Sequence, residues 1–355
     1  MGQKKREATK LVRWLRTFDN RAIQTLLYLP SMVRPFYAYL KTNKRRFWRR
    51  TVVHRGGLNP GKTFYVIGDS ASWATSGLAN IEPYVAANCA YAEKRGWIPV
   101  VDMKNFPTMY HTPETLGKEN VWDWYYEQPG NISLEEALKS RRCVLSNSNP
   151  YFHNWLRFPH LGNPANRSRI QRIYRTYIRV KPALLAKMEA ECAGADLVRN
   201  QKRILGVVCR GTDFVAARPS GHSIPPATAE AIRISREELA AHSCDALYLA
   251  TEDQDILDAF IEAFGDALIY ENARRFRAQP GVWLYQYDVG PELTPYRRGY
   301  EYLLTLTMLS KCDCLIGVPC SALWYAHLRR PQREYFRAWP CESYAYALAR
   351  SSSGA

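Results

Sequence analysis

Short apolar runs recur along this chain at spacings that leave room for one helix between each pair. In the first half the runs are Phe64 to Ile67, Trp97 to Met103 and Cys143 to Ser146. In the second they are Ile204 to Cys209, Leu247 to Ala250, Ala267 to Tyr270 and Cys312 to Gly317. Continuous apolar, β-branched runs of this length read as strands buried on both faces. Helical patterns lie between them. A helix is expected from about 80 to 95, closed by Gly96, and an apolar stripe at Ile170, Ile173, Tyr174, Tyr177 and Ile178 marks a second, which Pro182 kinks or restarts toward about 193. In the second half helices are expected up to about 242, from Gln254 to Phe264 with Gly265 as the stop, from Tyr300 to Ser310, and from Ala322 to Leu328. Alternating strand and helix predicts an α/β protein built on parallel sheets. Cys312 and Cys314 are expected to point to one face of a strand.

That pattern begins only near residue 51. Residues 1–50 mix Trp14, Phe18, Tyr28, Phe36 and Trp48 with cations, and residues 1 to 55 hold fifteen Lys/Arg against Glu7 and Asp19, a net +13 of the chain's +16. The rest is close to neutral, so the charge belongs to an appendage and not to a nucleic-acid-reading face. Two readings of this basic amphipathic arm stand: it lies on an anionic membrane surface, or it packs on the body with its cations solvated. The division expected is the arm at 1–50, an N-terminal α/β domain at 51–195, a C-terminal Rossmann-like domain at 196–345 and a tail at 346–355. No signal peptide and no uninterrupted membrane span are read in the sequence, which places the protein in the cytoplasm or peripherally on the inner membrane. The nine cysteines show no zinc spacing and read as reduced thiols.

Candidate chemistry sits at the carboxyl ends of the strands. Arg210-Gly211-Thr212-Asp213 follows the run at 204, and a guanidinium delivered there suits an anion; the alternative is a solvated charge with Asp213 capping the next helix. Thr251 and Asp253 follow the next run, and Ser321 stands at the mouth of the last helix. A nucleoside diphosphate fits all three ends: Arg210, with Gly211 and Thr212, and the Ser321 turn for phosphate, Thr251 and Asp253 for ribose and base. Asp253-Gln254-Asp255 spells DxD, but on a first helical turn its carboxylates read as capping before metal binding, so no metal ion is assigned. Asp102, at the end of the run from Trp97, either caps its loop or joins the site. Trp122 to Gln128 is an aromatic patch with a carboxylate, compatible with a carbohydrate surface or with core.

Three blocks carry a resemblance. Val207 to Asp213 resembles the H-x-R-x-x-D segment of the fucosyltransferase superfamily that includes nodulation-type and core α-1,6-fucosyltransferases and protein O-fucosyltransferases. Leu249 to Asp253 resembles its A-T-D-D segment, and Leu309 to Ile316 with Ser321 its L-S-x-C-D-x-L-I and following serine. The blocks stand in family order over about 120 residues, and Gly77 to Asp102 and Asn120-Val121-Trp122 resemble bacterial members more loosely. The resemblance implies a GT-B fold, two Rossmann-like domains facing across a cleft, with the acceptor on the domain at 51–195 and the nucleotide sugar on the domain at 196–345, and inverting, metal-independent transfer from GDP-fucose or another GDP-sugar to a glycan or glycolipid hydroxyl, with no other cofactor. It implies Arg210 on the β-phosphate, Asp253 on guanine and Ser321 on phosphate; His222 stands where core-fucosylating relatives also carry a histidine.

The sequence departs from the family pattern. The first histidine is Val208, the proposed proton acceptors of core-fucosylating relatives fall at Arg218 and Phe214, and the aspartate of the third block's helix falls at Thr305. The catalytic base is open among Asp213, His222 and Asp102. Competing functions are a metal-dependent transferase using Asp253 and Asp255, and a membrane- or nucleic-acid-binding protein with a degenerate transferase body.

Overall fold

A computed structural model describes residues 52–53, 56–68, 73, 76–146, 164–194, 202–219, 221–282, 284–287, 290–330 and 332–344. The basic arm at 1–50, the loop residues Asp69, Ser70, Ser72 and Thr75, and the tail at 346–355 lie outside the described residues.

The first half is a sheet of four strands in the order β1-β4-β2-β3. Its strands are β1 (Val52–Val53), β2 (Phe64–Ile67), β3 (Ile98–Val101) and β4 (Cys143–Leu145). The last three are parallel, whereas β1 runs antiparallel along β4 and was not legible in the sequence. Helix α1 (Leu78–Glu93) crosses from β2 to β3, beginning slightly earlier than expected; Gly96 follows it at φ +64°, a conformation glycine adopts without strain. Two short helices, α2 (Trp122–Tyr125) and α3 (Leu134–Leu138), precede β4. The stripe at Ile170 forms α4 (Pro164–Tyr177), and Pro182 opens a separate helix, α5 (Pro182–Gly194), since its ring cannot continue one.

The second half is a sheet of five parallel strands, β5 (Ile204–Val208), β6 (Ala246–Ala250), β7 (Leu268–Ile269), β8 (Cys314–Gly317) and β9 (Tyr335–Ala338). Their order is β7-β6-β5-β8-β9. Counted from β5, that is 3-2-1-4-5, the doubly wound order in which the chain reverses direction between the first strand and the fourth. The sequence did not disclose β9, whose half-buried residues interleave with arginine. Five helices connect these strands: α6 (Thr212–Ala216), α7 (Thr228–Ala241), α8 (Gln254–Phe264), α9 (Pro295–Lys311) and α10 (Ser321–Arg329).

Alternation along the strands divides the core. Leu205, Val207, Leu247, Leu249, Cys314 and Ile316 face one cluster with Leu257 and Phe260 of α8. Ile204, Val208, Tyr248 and Leu315 face the other way, into a cluster that also holds Tyr65, Ile67 and Val101 of the first sheet and residues of α1, α4, α9 and α10. The two sheets therefore share one layer of helices and a core cluster that is continuous between them, while a separate cluster lies on the far face of each sheet. Cys312 and Cys314 do not share a strand face. Cys312 ends α9 and packs in the shared core, while Cys314 opens β8 and packs on its far side. Among the described residues no helix is long and apolar enough to cross a membrane.

Candidate active site

Strands β6, β5 and β8 are neighbours, so the three polar ends read from sequence arrive side by side. At the end of β5 the chain passes through Gly211 and then Thr212, whose φ of +33° is unusual for a β-branched residue. Two carboxylates from the end of β6 hold it there. Gly211 N–H and Thr212 Oγ1–H donate to Glu252 Oε1, each at 3.0 Å, and Thr212 N–H donates to Asp253 Oδ2 at 2.8 Å. A Cβ on residue 211 would lie 2.3 Å from that same Asp253 oxygen, so only glycine fits.

Arg210 is fixed by this turn. Its Nη2 donates to Asp213 Oδ1 at 2.9 Å, its Nε lies 3.5 Å from Glu252 Oε1, and the guanidinium covers the Phe214 ring at 4.4 Å. Burial pulls its pKa down, but Glu252 and Asp213 outweigh burial and hold it above the ordinary arginine value. A fifth of the side chain remains exposed (21%), which leaves guanidinium surface for an anion. Cys209 and Cys320 beside it are buried, and burial pushes both thiols up, so neither is a nucleophile at neutral pH.

Other sequence candidates fall as follows. Asp213 is 8% exposed; besides Arg210 it accepts Leu284 N–H on Oδ2 at 3.4 Å. It lies in the first turn of α6, whose N-cap is Gly211, so capping is not its role. His222 is exposed and stands edge-on to Phe214 at 5.3 Å, so the Phe214 ring contacts both His222 and the Arg210 guanidinium. Asp253 caps α8: its Oδ1 accepts Asp255 N–H and Ile256 N–H, and one lone pair on Oδ2 is left beyond the Thr212 bond. Thr251 Oγ1 accepts Asp253 N–H at 3.2 Å. Asp255 turns outward onto Arg277, so the two acids of the DxD do not converge. Ser321 opens α10; the N-cap residue is Cys320, whose thiol stands near the Ala322 and Leu323 amides of the first turn.

Asp102 takes the loop-capping arrangement that was one of its two readings. Its Oδ1 accepts from Lys104 N–H, Asn105 N–H and the Asn105 amide, and its Oδ2 accepts from the same amide at 2.9 Å. All these partners lie within three residues, so Asp102 caps its own loop and none of these bonds reaches the second sheet. Conversely, sequence reasoning missed Glu252 as a site residue. It stands just before the N-cap Asp253 and anchors both the glycine turn and Arg210.

A segment after β7 closes over this corner. Phe276 pairs with Asp253 as an isolated bridge, accepting Gln254 N–H and donating to Glu252 O, each at 2.9 Å. Below it a narrow crevice is lined by Arg210, Pro225, Pro226, Ile256, Val318 and Trp339. Its free space of about 10 Å³ is the size of one water.

No family model matches the sequence, and no curated protein does. Among solved structures, the chain is similar to NodZ alpha-1,6-fucosyltransferase soaked with GDP-fucose, at 14% identity and a TM-score of 0.45, covering 76% of this chain and 94% of that one. It is similar to fucosyltransferase NodZ from Bradyrhizobium at 15% identity and 0.45, with the same coverage. POFUT1 in complex with GDP-fucose gives 10% identity and 0.45, over 80% of this chain and 99% of that one.

Proposed function

We propose that the chain is a glycosyltransferase that takes its sugar from a GDP-sugar, GDP-fucose in the first instance, and transfers it with inversion to a glycan or glycolipid hydroxyl. One observation carries the reading. At the point where the doubly wound sheet reverses, between β5 and β8, a guanidinium braced by two carboxylates lies beside Cys320, the N-cap residue of α10. Open α/β sheets bind nucleotides at this point, and helix amides with a fixed arginine suit a diphosphate. The sequence blocks around Arg210, Asp253 and Ser321 supply the guanosine and the fucose.

On binding, a β-phosphate oxygen would take the Arg210 Nη2 hydrogen bond that Asp213 now accepts. As the bond to the anomeric carbon breaks, negative charge grows on that oxygen, and Arg210 with the α10 amides stabilises it more in the transition state than in the ground state. The acceptor hydroxyl must lose a proton. His222 is proposed for that role because it is an exposed imidazole edge-on to Phe214, the ring that the Arg210 guanidinium covers. No step calls for a metal ion, and turnover is expected to survive EDTA. Arg210→Ala should lower kcat by two orders of magnitude or more; near-wild-type turnover of GDP-fucose by this variant refutes the assignment.

A further inference from the structure

A second polar cleft opens at the carboxyl end of β7, beside the donor corner but outside it. About 310 Å³ in volume, it is lined by Asn272, Ala273, Arg274, Glu292, Leu293, Arg297 and Glu301, at the low end of the size of small-molecule sites. Its charges cancel: Arg274 pairs with Glu292 and Arg297 with Glu301. An anion would meet a carboxylate beside each guanidinium and a cation the converse. A hydroxyl group donates to one partner and accepts from the other, so such a lining suits a neutral, hydroxyl-rich ligand.

The cleft is also built on fixed parts. Glu271, 9% exposed at the end of β7, accepts from Tyr248 Oη at 2.5 Å and from Thr305 Oγ1 at 2.7 Å, which sets the backbone entering Asn272. One residue before Arg297, Tyr296 is 42% exposed, and its ring stacks on Tyr125 at 5.6 Å and 15°. Tyr125 Oη donates to Tyr296 O at 2.8 Å, and Trp124 stands edge-on to Tyr296 at 6.0 Å. Tyr300 stacks on Tyr296 in turn, at 6.4 Å and 21°, so the helix that carries Arg297 and Glu301 is fixed by an aromatic column beside the cleft, and Tyr296 offers its exposed edge there. The segment that leaves the cleft at Ala273 is the one whose Phe276 and Leu284 close on Glu252 and Asp213.

We infer that this cleft, with Tyr296 at its rim, is the subsite for a neutral oligosaccharide, the acceptor of the transfer. The inference rests on the transferase reading for the word acceptor but not for the binding itself.

Calorimetry and saturation-transfer NMR on the full chain would use cellotetraose, mannotetraose, N-acetylchitotetraose and tetragalacturonate, with GDP titrated in parallel. At least one neutral tetrasaccharide should bind and the uronate should not. Arg274→Ala/Arg297→Ala should weaken that binding tenfold or more, and Tyr296→Ala should reduce it, with GDP affinity unchanged in both. Both arginine side chains are exposed, at 38% and 53%, so their pairs contribute little to folding, and retained GDP binding certifies the fold. If GDP binds but no neutral saccharide does at millimolar concentration, or if the double variant binds as the wild type does, the cleft assignment is overturned and the transferase reading stands. If a saccharide binds in the cleft and GDP does not, the transferase reading fails and the saccharide site remains.

Discussion

The shared core contains one fully buried carboxylate, and its removal of partners is the sharpest structural test. Glu82 of α1 is 0% exposed; its Oε1 accepts Tyr126 Oη–H at 2.5 Å and Arg329 Nη2–H at 2.7 Å. Arg329 is the last residue of α10, so this ion pair joins a helix of the first half to the helix whose other end faces the donor corner. Arg329→Met keeps the apolar stem but leaves Glu82 buried with a phenol alone, a change of about 3–5 kcal/mol when one partner of a buried pair is lost. Against a total stability of about 5–15 kcal/mol this is large. Glu82→Gln is milder, at about 1.5–3 kcal/mol for a lost charge-assisted bond, because the Arg329 side chain is 18% exposed and can turn to water. The double variant should therefore be more stable than Arg329→Met alone. Urea unfolding followed by tryptophan fluorescence and circular dichroism measures all four proteins. Because the core cluster between the sheets is continuous, one transition is expected. An Arg329→Met variant within 1 kcal/mol of wild type, or two separated transitions of which only one moves, would refute the reasoning.

Two further outcomes follow from the geometry. Gly211→Ala puts a Cβ against the Asp253 carboxylate, so it should destabilise the fold by about 1–3 kcal/mol in thermal unfolding and weaken GDP binding in calorimetry. His327 is 4% exposed, stacked on Phe336 at 3.9 Å, and accepts from Arg167 at 3.4 Å on Nε2; burial, then Arg333 and Arg167, push its pKa down to about 4. The unfolded chain binds this proton near pH 6.5 and the folded one does not, so stability should fall as pH drops from about 6.5 toward 4, by about 3 kcal/mol, and His327→Gln should flatten that slope in denaturation at pH 7 and 4.5.

Much of this arrangement was legible in the residues because it is local. Ile204 to Val208 is apolar without interruption and forms the central strand, Gly265 ends α8 at φ +50°, and the polar ends at Arg210, Asp253 and Ser321 converge because their strands are neighbours. What periodicity could not disclose is which faces meet. Glu82, in a run of otherwise apolar helix, gave no sign of a partner 247 residues away. Glu252 lay one position from an acid with an evident capping role, and only the backbone path of Gly211 and Thr212 makes it an anchor. Asp102 stood at a strand end like Arg210, but Asn105 supplies it with a local amide that Arg210's neighbours do not. β1 and β9 are edge strands too short or too mixed in polarity to alternate.

The central claim is that the corner between β5 and β8 binds a guanosine diphosphate through Arg210 without a metal ion. Calorimetry in EDTA with GDP, UDP and ADP tests it most directly. GDP should bind at least tenfold more tightly than either, a margin of about 1.4 kcal/mol, and Arg210→Ala should remove most of the binding of all three by taking away the phosphate contact. Equal affinity for UDP, no binding of any of the three, or GDP binding untouched by Arg210→Ala would contradict the account.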